Sequence, residues 1–259
     1  MYTAASGQSA PAVHGELKMS TVMAGNVRPD SPHSQLVNRT VHACHLAKSA
    51  AGAAAEGIAT GSKPSLNSIR SLEKELDELD MAIDDGVTSA IIQVTEPAAR
   101  ELLACMKIMI GLERIGDLLL SFANSAIAVG SRIEPQDIRD LTQMATILEK
   151  MLADVAEGFS ERDVKKAIQV LRADAEMDRL RNLIFLRHIE NPENVPRQES
   201  LQVIFMTQSL ERAGDHAKNV AEEVCHFVSG HPIRHVLMTD KPLEQMFIDW
   251  LRQRDGRQV

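Results

Sequence analysis

Four pairs of acidic residues have the spacing that would let two carboxylates hold one cation. Each pair is separated by one helical turn, and the pairs are Glu73 and Asp77, Glu113 and Asp117, Asp174 and Asp178, and Glu211 and Asp215. Positions i and i+4 lie about 40° apart around an α-helix, so both acids of a pair share a face. Asp80 and Asp84 continue the line of the first pair. Two such pairs on adjacent helices would offer a metal ion several oxygen ligands, which suits Mg²⁺, Mn²⁺, Ca²⁺ or iron.

The alternative for each pair is an acidic helix face in contact with solvent, because charged residues are mostly exposed. Their placement, however, follows a repeat in the sequence. The segment Leu112–Asp117 (LERIGD) returns almost unchanged as Leu210–Asp215 (LERAGD), and the pairs at 73–77 and 174–178 each precede one copy by a similar interval. Two copies of a three-helix unit are the simplest explanation. The sequence therefore predicts two equivalent metal sites.

Prolines divide the middle of the chain into stretches that predict the helices carrying these acids. Proline is tolerated in the first turn of a helix and disfavoured inside it, and between Pro32 and Pro232 it occurs only at 64, 97, 135, 192 and 196. Ser160 with Asp163 is predicted to cap a further helix after a break at Phe159 and Ser160. The predicted helices are 34–61, 65–95, 97–130, 135–157, 161–190 and 197–229. Long helices joined by short loops pack as antiparallel bundles.

Composition agrees with an all-α protein and excludes several classes. Aromatic residues make up 3% of the chain, which argues against a β-sandwich or barrel. The net charge of −8 disfavours a nucleic-acid-binding role, since phosphate contacts need a basic face. No signal peptide or uninterrupted apolar run long enough for a transmembrane helix is present, so no membrane insertion is expected. Three sparse cysteines, Cys44, Cys105 and Cys225, suit a reducing cytoplasm and are predicted to be small buried residues.

Two further motifs contain metal-ligand residue types but lack a second half. His42, Cys44 and His45 lie close together, as in a zinc site, yet no partner motif follows. Glu223 and His226 form a single E-x-x-H element, whereas di-iron bundles need two. We interpret both as ordinary helix faces.

The C-terminal segment predicts an amphipathic helix. Its apolar residues follow i, i+3, i+4, i+7, i+8 spacing, at Leu243, Met246, Phe247, Trp250 and Leu251. Such a helix either docks on its own bundle or binds a groove of a partner with the only Trp as anchor. We favour docking on its own bundle, because most amphipathic helices in globular chains pack internally.

The residues around the second motif resemble a known family. The stretch Glu211–Glu222 (ERAGDHAKNVAE) resembles the signature of the PhoU family of phosphate-uptake regulators. Gly230–His235 (GHPIRH) is similar to the ending of that family's pattern, and Pro97–Leu102 (PAAREL) to the stretch before its first motif. The resemblance implies an all-α protein of two tandem three-helix up-and-down bundles. The expected organisation is a tail at 1–32, bundles at 33–131 and 132–235, and an extension at 236–259.

The resemblance also implies a function without catalysis. Members of the family are cytoplasmic and often form homodimers. They act as adaptors between the ATPase subunit of a phosphate ABC transporter and a sensor histidine kinase, and repress the phosphate-starvation response when phosphate is ample. Some bind iron, zinc, manganese or magnesium through surface carboxylates, which here would be Glu73, Asp77, Glu113 and Asp117 in one site and Asp174, Asp178, Glu211 and Asp215 in the other.

The two copies differ beside the motif. The second has the family-like His216 and Asn219 where the first has Leu118 and Ser121, so the second site is the stronger expectation. Two rival interpretations remain open: a carboxylate-bridged di-metal enzyme, and a helical bundle that buffers metal. The enzyme is disfavoured, because only one E-x-x-H element is present and the other acid pairs lack neighbouring histidines.

Overall fold

The computed structural model describes residues 31–190 and 197–230, and within these ranges every regular element is helical. The six helices are α1 Pro32–Thr60, α2 Lys63–Ala90, α3 Glu96–Val129, α4 Pro135–Ser160, α5 Val164–Glu190 and α6 Arg197–Ser229. Their bounds lie within a few residues of the predicted ones, so the all-α prediction is confirmed. The first 30 residues, most of the GHPIRH motif and the C-terminal segment lie outside the described residues.

The first two helices begin two residues earlier than predicted, at Pro32 and Lys63. Ser31 and Ser62 precede α1 and α2, and each accepts a hydrogen bond from a backbone N–H three residues later, at 3.2 and 3.3 Å. Pro32 and Pro64 occupy the first turns, where a missing N–H costs nothing. Gly61 ends α1 at φ 70°, a left-handed conformation that favours glycine. Serine, proline and glycine thus set the short connection between α1 and α2.

The predicted break between α4 and α5 was placed too early. Phe159 and Ser160 still belong to α4, and the Phe159 side chain is 3% exposed and packs 5.8 Å from the ring centroid of Phe227. Asp163 alone caps α5, because its Oδ1 accepts from the backbone N–H of Lys165 at 2.8 Å. The burial of Phe159 therefore extends α4 by one turn beyond the local sequence signals.

The six helices share one continuous apolar core. Helices α1, α2 and α3 pack on one another, as do α4, α5 and α6. In addition α1 packs along α4 and α3 packs along α6. Helices α1, α3, α4 and α6 therefore form the centre, with α2 on one flank and α5 on the other. The acidic faces of α2 with α3, and of α5 with α6, lie on these flanks.

Contacts at the two ends define the direction of the helices. At the upper end, Arg132 after α3 pairs with Glu199 at the start of α6, with Nη1 and Oε1 2.7 Å apart. At the lower end, Glu101 near the start of α3 contacts Arg162 between α4 and α5, with Oε1 and Nη2 3.0 Å apart. Successive helices therefore alternate in direction.

The three cysteines are buried, as predicted. Burial raises the pKa values of Cys44, Cys105 and Cys225 to about 12, 11 and 12. They therefore pack as small apolar residues. Among the described helices, none combines the length and hydrophobicity needed to cross a membrane.

Candidate metal-binding surface

The first four predicted ligands meet on the surface formed by α2 and α3, named here the α2–α3 cluster. Burial raises the pKa of Glu73, and the charges of Asp77 and Asp117 raise it further. Burial likewise raises the pKa of Glu113; Arg114 opposes this shift, while Asp117 and Asp77 add to it. The four carboxylates are thus close enough to repel one another. Their mutual repulsion is the electrostatic condition that a bound cation would relieve.

Asp80 and Asp84 extend the α2–α3 cluster along α2. Burial, followed by the charges of Asp84 and Asp77, raises the pKa of Asp80. The main basic side chain is Arg114, whose Nε lies 3.3 Å from Glu113 Oε2 and whose Nη1 lies 3.5 Å from Asp117 Oδ2. Among the described residues, no ion pair within 4 Å involves Asp77, Asp80 or Asp84. The α2–α3 cluster is therefore strongly anionic.

The other four predicted ligands meet between α5 and α6, in what is named here the α5–α6 cluster. Burial raises the pKa of Glu211, against the opposing charge of Arg181 and with the added charge of Asp215. Burial raises the pKa of Asp215 too, followed by the charges of Asp174 and Asp178. The predicted equivalence of the two copies thus extends to the placement of their acids.

The α5–α6 cluster differs because it contains its own cations. Arg181 Nη2 donates to Glu211 Oε1 at 3.2 Å, and Lys218 Nζ donates to Asp174 Oδ2. The pKa of His216 is lowered by burial and then by the charge of Arg212. The four predicted acids here have two contacting bases, whereas the six acids of the α2–α3 cluster have one contacting base, Arg114, with Arg70 acting on Glu73 from further away. These counter-ions were absent from the sequence prediction, because the paired residues are separated by 30 and 44 positions in the chain.

The donor chemistry suits a hard cation, but the side chains are not arranged around one. Carboxylate oxygens with raised pKa values are appropriate ligands for Mg²⁺, Mn²⁺ or iron. Within residues 31–190 and 197–230, however, no three His, Cys, Asp or Glu side chains converge closely enough to hold an ion. A cation would have to displace Arg114 from Glu113 and Asp117, or Lys218 from Asp174.

The two weaker motifs do not form sites. Cys44 is fully buried, whereas His42 is exposed and its Nε2 lies 3.0 Å from Glu75 Oε1, so the three motif residues near position 44 cannot share one ion. Glu223 Oε2 accepts from Lys107 Nζ at 2.9 Å and lies 3.7 Å from His226 Nδ1. Both motifs act as helix faces that contact neighbouring helices.

A buried polar network at the upper end was missed by the sequence analysis. Asp137 is 1% exposed and accepts from Arg187, and its Oδ2 lies 3.1 Å from His188 Nε2. His188 Nδ1 in turn lies 3.1 Å from Ser200 Oγ, and Arg187 also donates to Asp140. These are the residue types of a hydrolase triad, but the His188 side chain is 0% exposed and Arg187 neutralises the acid. We interpret this buried polar network as a structural contact that holds α4, α5 and α6 together.

Comparison with known proteins identifies the repeated unit. The family model described as "PhoU domain" matches residues 40–126 and again 141–224. The Pseudomonas aeruginosa protein named "Phosphate-specific transport system accessory protein PhoU homolog" is 31% identical over 180 residues, covering 66% of this chain and 73% of that protein. The Escherichia coli K12 protein named "Phosphate-specific transport system accessory protein PhoU" is 28% identical over 172 residues, covering 63% and 70%.

Solved structures agree with the architecture. The crystal structure of PhoU from Pseudomonas aeruginosa matches with a TM-score of 0.72 at 22% identity, covering 79% of this chain and all of that one. A PhoU structure from Streptococcus pneumoniae matches with a TM-score of 0.71 at 19% identity, covering 77% and 96%. At these identities the likeness establishes the fold.

Proposed function

Because this chain belongs to the PhoU domain family, we propose that it is an accessory regulator of phosphate transport. It acts in the cytoplasm as an adaptor between the ATPase subunit of a phosphate ABC transporter and a sensor histidine kinase. It represses the phosphate-starvation response when phosphate is ample. The observation that carries this proposal is the double match to the PhoU domain, together with relatives named as accessory proteins of phosphate-specific transport.

The surface of the bundle supports a binding role without catalysis. Long helices in one shared core make a stiff scaffold, and the acidic α2–α3 and α5–α6 clusters lie on its two flanks. An adaptor needs separate faces for separate partners, and this arrangement provides them. We include a homodimer in the same proposal. Each copy in that dimer would present its own two acidic flanks.

The direct test is alkaline phosphatase activity in a strain that lacks the gene, grown with abundant phosphate. We expect high activity that returns to baseline when the wild-type gene is restored, because the starvation response is no longer repressed. Unchanged activity in the deletion strain would contradict the proposed regulatory role. If activity rises as expected, co-purification of the protein with the transporter ATPase and with the kinase would show which of these two partners it binds.

We also propose that the two carboxylate clusters bind metal ions, with iron, zinc, manganese and magnesium as candidates. The support is electrostatic: burial and mutual repulsion raise the pKa values of Glu73, Glu113, Glu211 and Asp215. A cation would relieve that repulsion. It would bind more tightly to the α2–α3 cluster, because Lys218 and Arg181 already compensate part of the charge in the α5–α6 cluster.

The two copies of the motif provide a matched pair of variants for this proposal. Glu113→Gln with Asp117→Asn removes two charges from the α2–α3 cluster, and Glu211→Gln with Asp215→Asn removes the same two from the other. We expect the first double variant to weaken Mn²⁺ binding to the tighter site by more than about tenfold, as loss of metal-supporting groups commonly does. The second should affect only the weaker site.

Isothermal titration calorimetry with Mn²⁺ measures both sites, and circular dichroism checks that each variant remains helical. Unchanged affinity and stoichiometry in both variants would contradict the metal proposal. A larger loss in the second variant would contradict the ranking based on counter-ions and favour the ranking based on His216. Oxygen-dependent turnover with two bound irons would instead favour the di-metal enzyme, and altered cellular metal with normal phosphatase regulation would favour metal buffering.

A further inference from the structure

A groove opens at the lower end of the bundle, between the start of α1 and the end of α2. Its volume is about 550 Å³, and its lining includes Pro32, Leu36, Arg39, Ser89, Ala90 and Val94. Ile92 lies in the turn beside this lining and is 85% exposed, the largest exposed fraction among the large hydrophobic residues of the described chain. A groove of mixed apolar and polar lining with an apolar rim is a favourable site for an amphipathic segment.

The described part of the chain ends at the same end of the bundle as this groove. Phe227, in the last turn of α6, lies 5.3 Å from the guanidinium of Arg162, and Arg162 contacts Glu101. Glu101 Oε2 lies 3.0 Å from Nε2 of His33, which lines the groove. A continuous line of contacts therefore runs across the lower end from α6 to the groove. Gly230 follows α6 at this same end.

Chain length allows the C-terminal segment to reach the groove. Residues 231–242 can span up to about 40 Å when extended. Neighbouring helices are separated by about 8–10 Å, so the path from α6 to the groove crosses roughly 20–30 Å. Other exposed large hydrophobic residues lie on α3, at Leu103 and Ile110, and near the upper end, at Leu201 and Ile189. Leu201 lies about 40 Å from the end of α6 along the helix axis, which leaves no spare chain length.

The chemistry of the segment complements the groove. Its predicted apolar face contains Phe247 and Trp250. In a helix Glu244 lies at one edge of that face, and Asp249 lies about 60° beyond the opposite edge. Arg39 is exposed at the groove, and among the described residues it has no ion pair within 4 Å. We propose that residues 243–251 dock as a helix in the groove between α1 and α2, with Trp250 inserted and an acidic residue beside Arg39.

The single Trp makes this proposal measurable in the full chain. In the wild type we expect blue-shifted Trp250 emission and weak quenching by acrylamide. Ser89→Glu places a carboxylate in the groove, opposite the acids of the segment, so emission should shift to the red and quenching should increase several-fold. Ser68→Glu is the matched control. Both serines are exposed on α2, and each Oγ donates to a backbone carbonyl of its own helix, at 2.9 and 2.7 Å.

Three outcomes would overturn the proposal. Trp250 could be exposed in the wild type, its burial could be unaffected by Ser89→Glu, or its burial could be lost on dilution, which would indicate a second copy as the partner. Removal of residues 1–30 tests the other end of the chain: Trp250 should remain shielded, and its exposure would contradict docking by residues 243–251 alone.

A cross-link provides a test that does not depend on the charge substitution. Ser89→Cys with Phe247→Cys should form a disulfide within one chain under mild oxidation. Oxidation of the three native cysteines should be slow, because burial raises the pKa values of their thiols. The control pair is Ser68→Cys with Phe247→Cys, which should not cross-link. If the Ser89 pair does not cross-link, or cross-links no faster than the control pair, the placement in the groove is contradicted.

Discussion

Asp137→Ala is expected to lower the free energy of unfolding by about 3–5 kcal/mol, the usual cost of breaking a buried ion pair from one side. Asp137 lies in the first turn of α4 and is 1% exposed. The substitution leaves Arg187 without one of its two carboxylates and His188 Nε2 without its partner. Chemical denaturation followed by circular dichroism measures the loss.

The loss should depend on pH in a defined direction. Burial alone would raise the pKa of Asp137, but hydrogen bonds and charges from His188 and Arg187 outweigh it and hold the pKa below the ordinary value of 3.8. The ionised form is therefore favoured in the folded state. The ionised Asp137 side chain makes its full contribution to the free energy of unfolding above the pH range in which an unfolded aspartate titrates. That contribution disappears as the pH falls through the lower pKa of the folded state. Wild type and variant should converge in stability upon acidification.

An exposed ion pair provides the control for Asp137. Glu78 Oε1 lies 3.6 Å from Lys74 Nζ on the surface of α2, and Glu78→Ala should change stability by less than about 1 kcal/mol. A loss in Asp137→Ala that is equally large at neutral and strongly acid pH would contradict the ion-pair explanation and indicate a packing defect.

Gly111→Ala is expected to destabilise the contact between α3 and α6 by about 1–3 kcal/mol, the typical cost of overpacking. A Cβ at Gly111 would lie 2.4 Å from Cγ2 of Val220. Valine is restricted to essentially one rotamer in a helix, so it cannot move aside without displacing the backbone. The gain in helix propensity from replacing glycine, about 1 kcal/mol, offsets part of this cost, so the net loss of stability should be up to about 2 kcal/mol.

Gly214→Ala is the matched control on α6, where the glycine faces α5. A Cβ there would lie 3.3 Å from Cε of Met177, and the flexible methionine can adjust. Its stability should be unchanged or higher by up to about 1 kcal/mol, because helix propensity improves. Equal effects of the two substitutions in denaturant unfolding would mean that the α3–α6 contact relaxes more easily than its packing indicates.

Local signals in the sequence were sufficient for the helices and for the faces of the acid pairs. Ser31 and Pro32 determine where α1 begins through a side-chain cap and a restricted φ, both of which act within one turn. The spacing of Glu113 and Asp117 places both acids on one face, whatever packs around them. The prediction was wrong at Phe159, where burial against Phe227 extended α4 past a local break signal.

Only the tertiary structure decided which charges meet. Lys218 pairs with Asp174, and His188 with Asp137, across 44 and 51 positions of the chain. Such contacts depend on how each whole helix is rotated and inclined against its neighbours, and packing over the entire core selects that arrangement. Backbone hydrogen bonds determine the spacing within one helix, so the sequence alone determined the acidic faces. The counter-ions, the buried polar network and the groove at the lower end result from the assembly of all six helices.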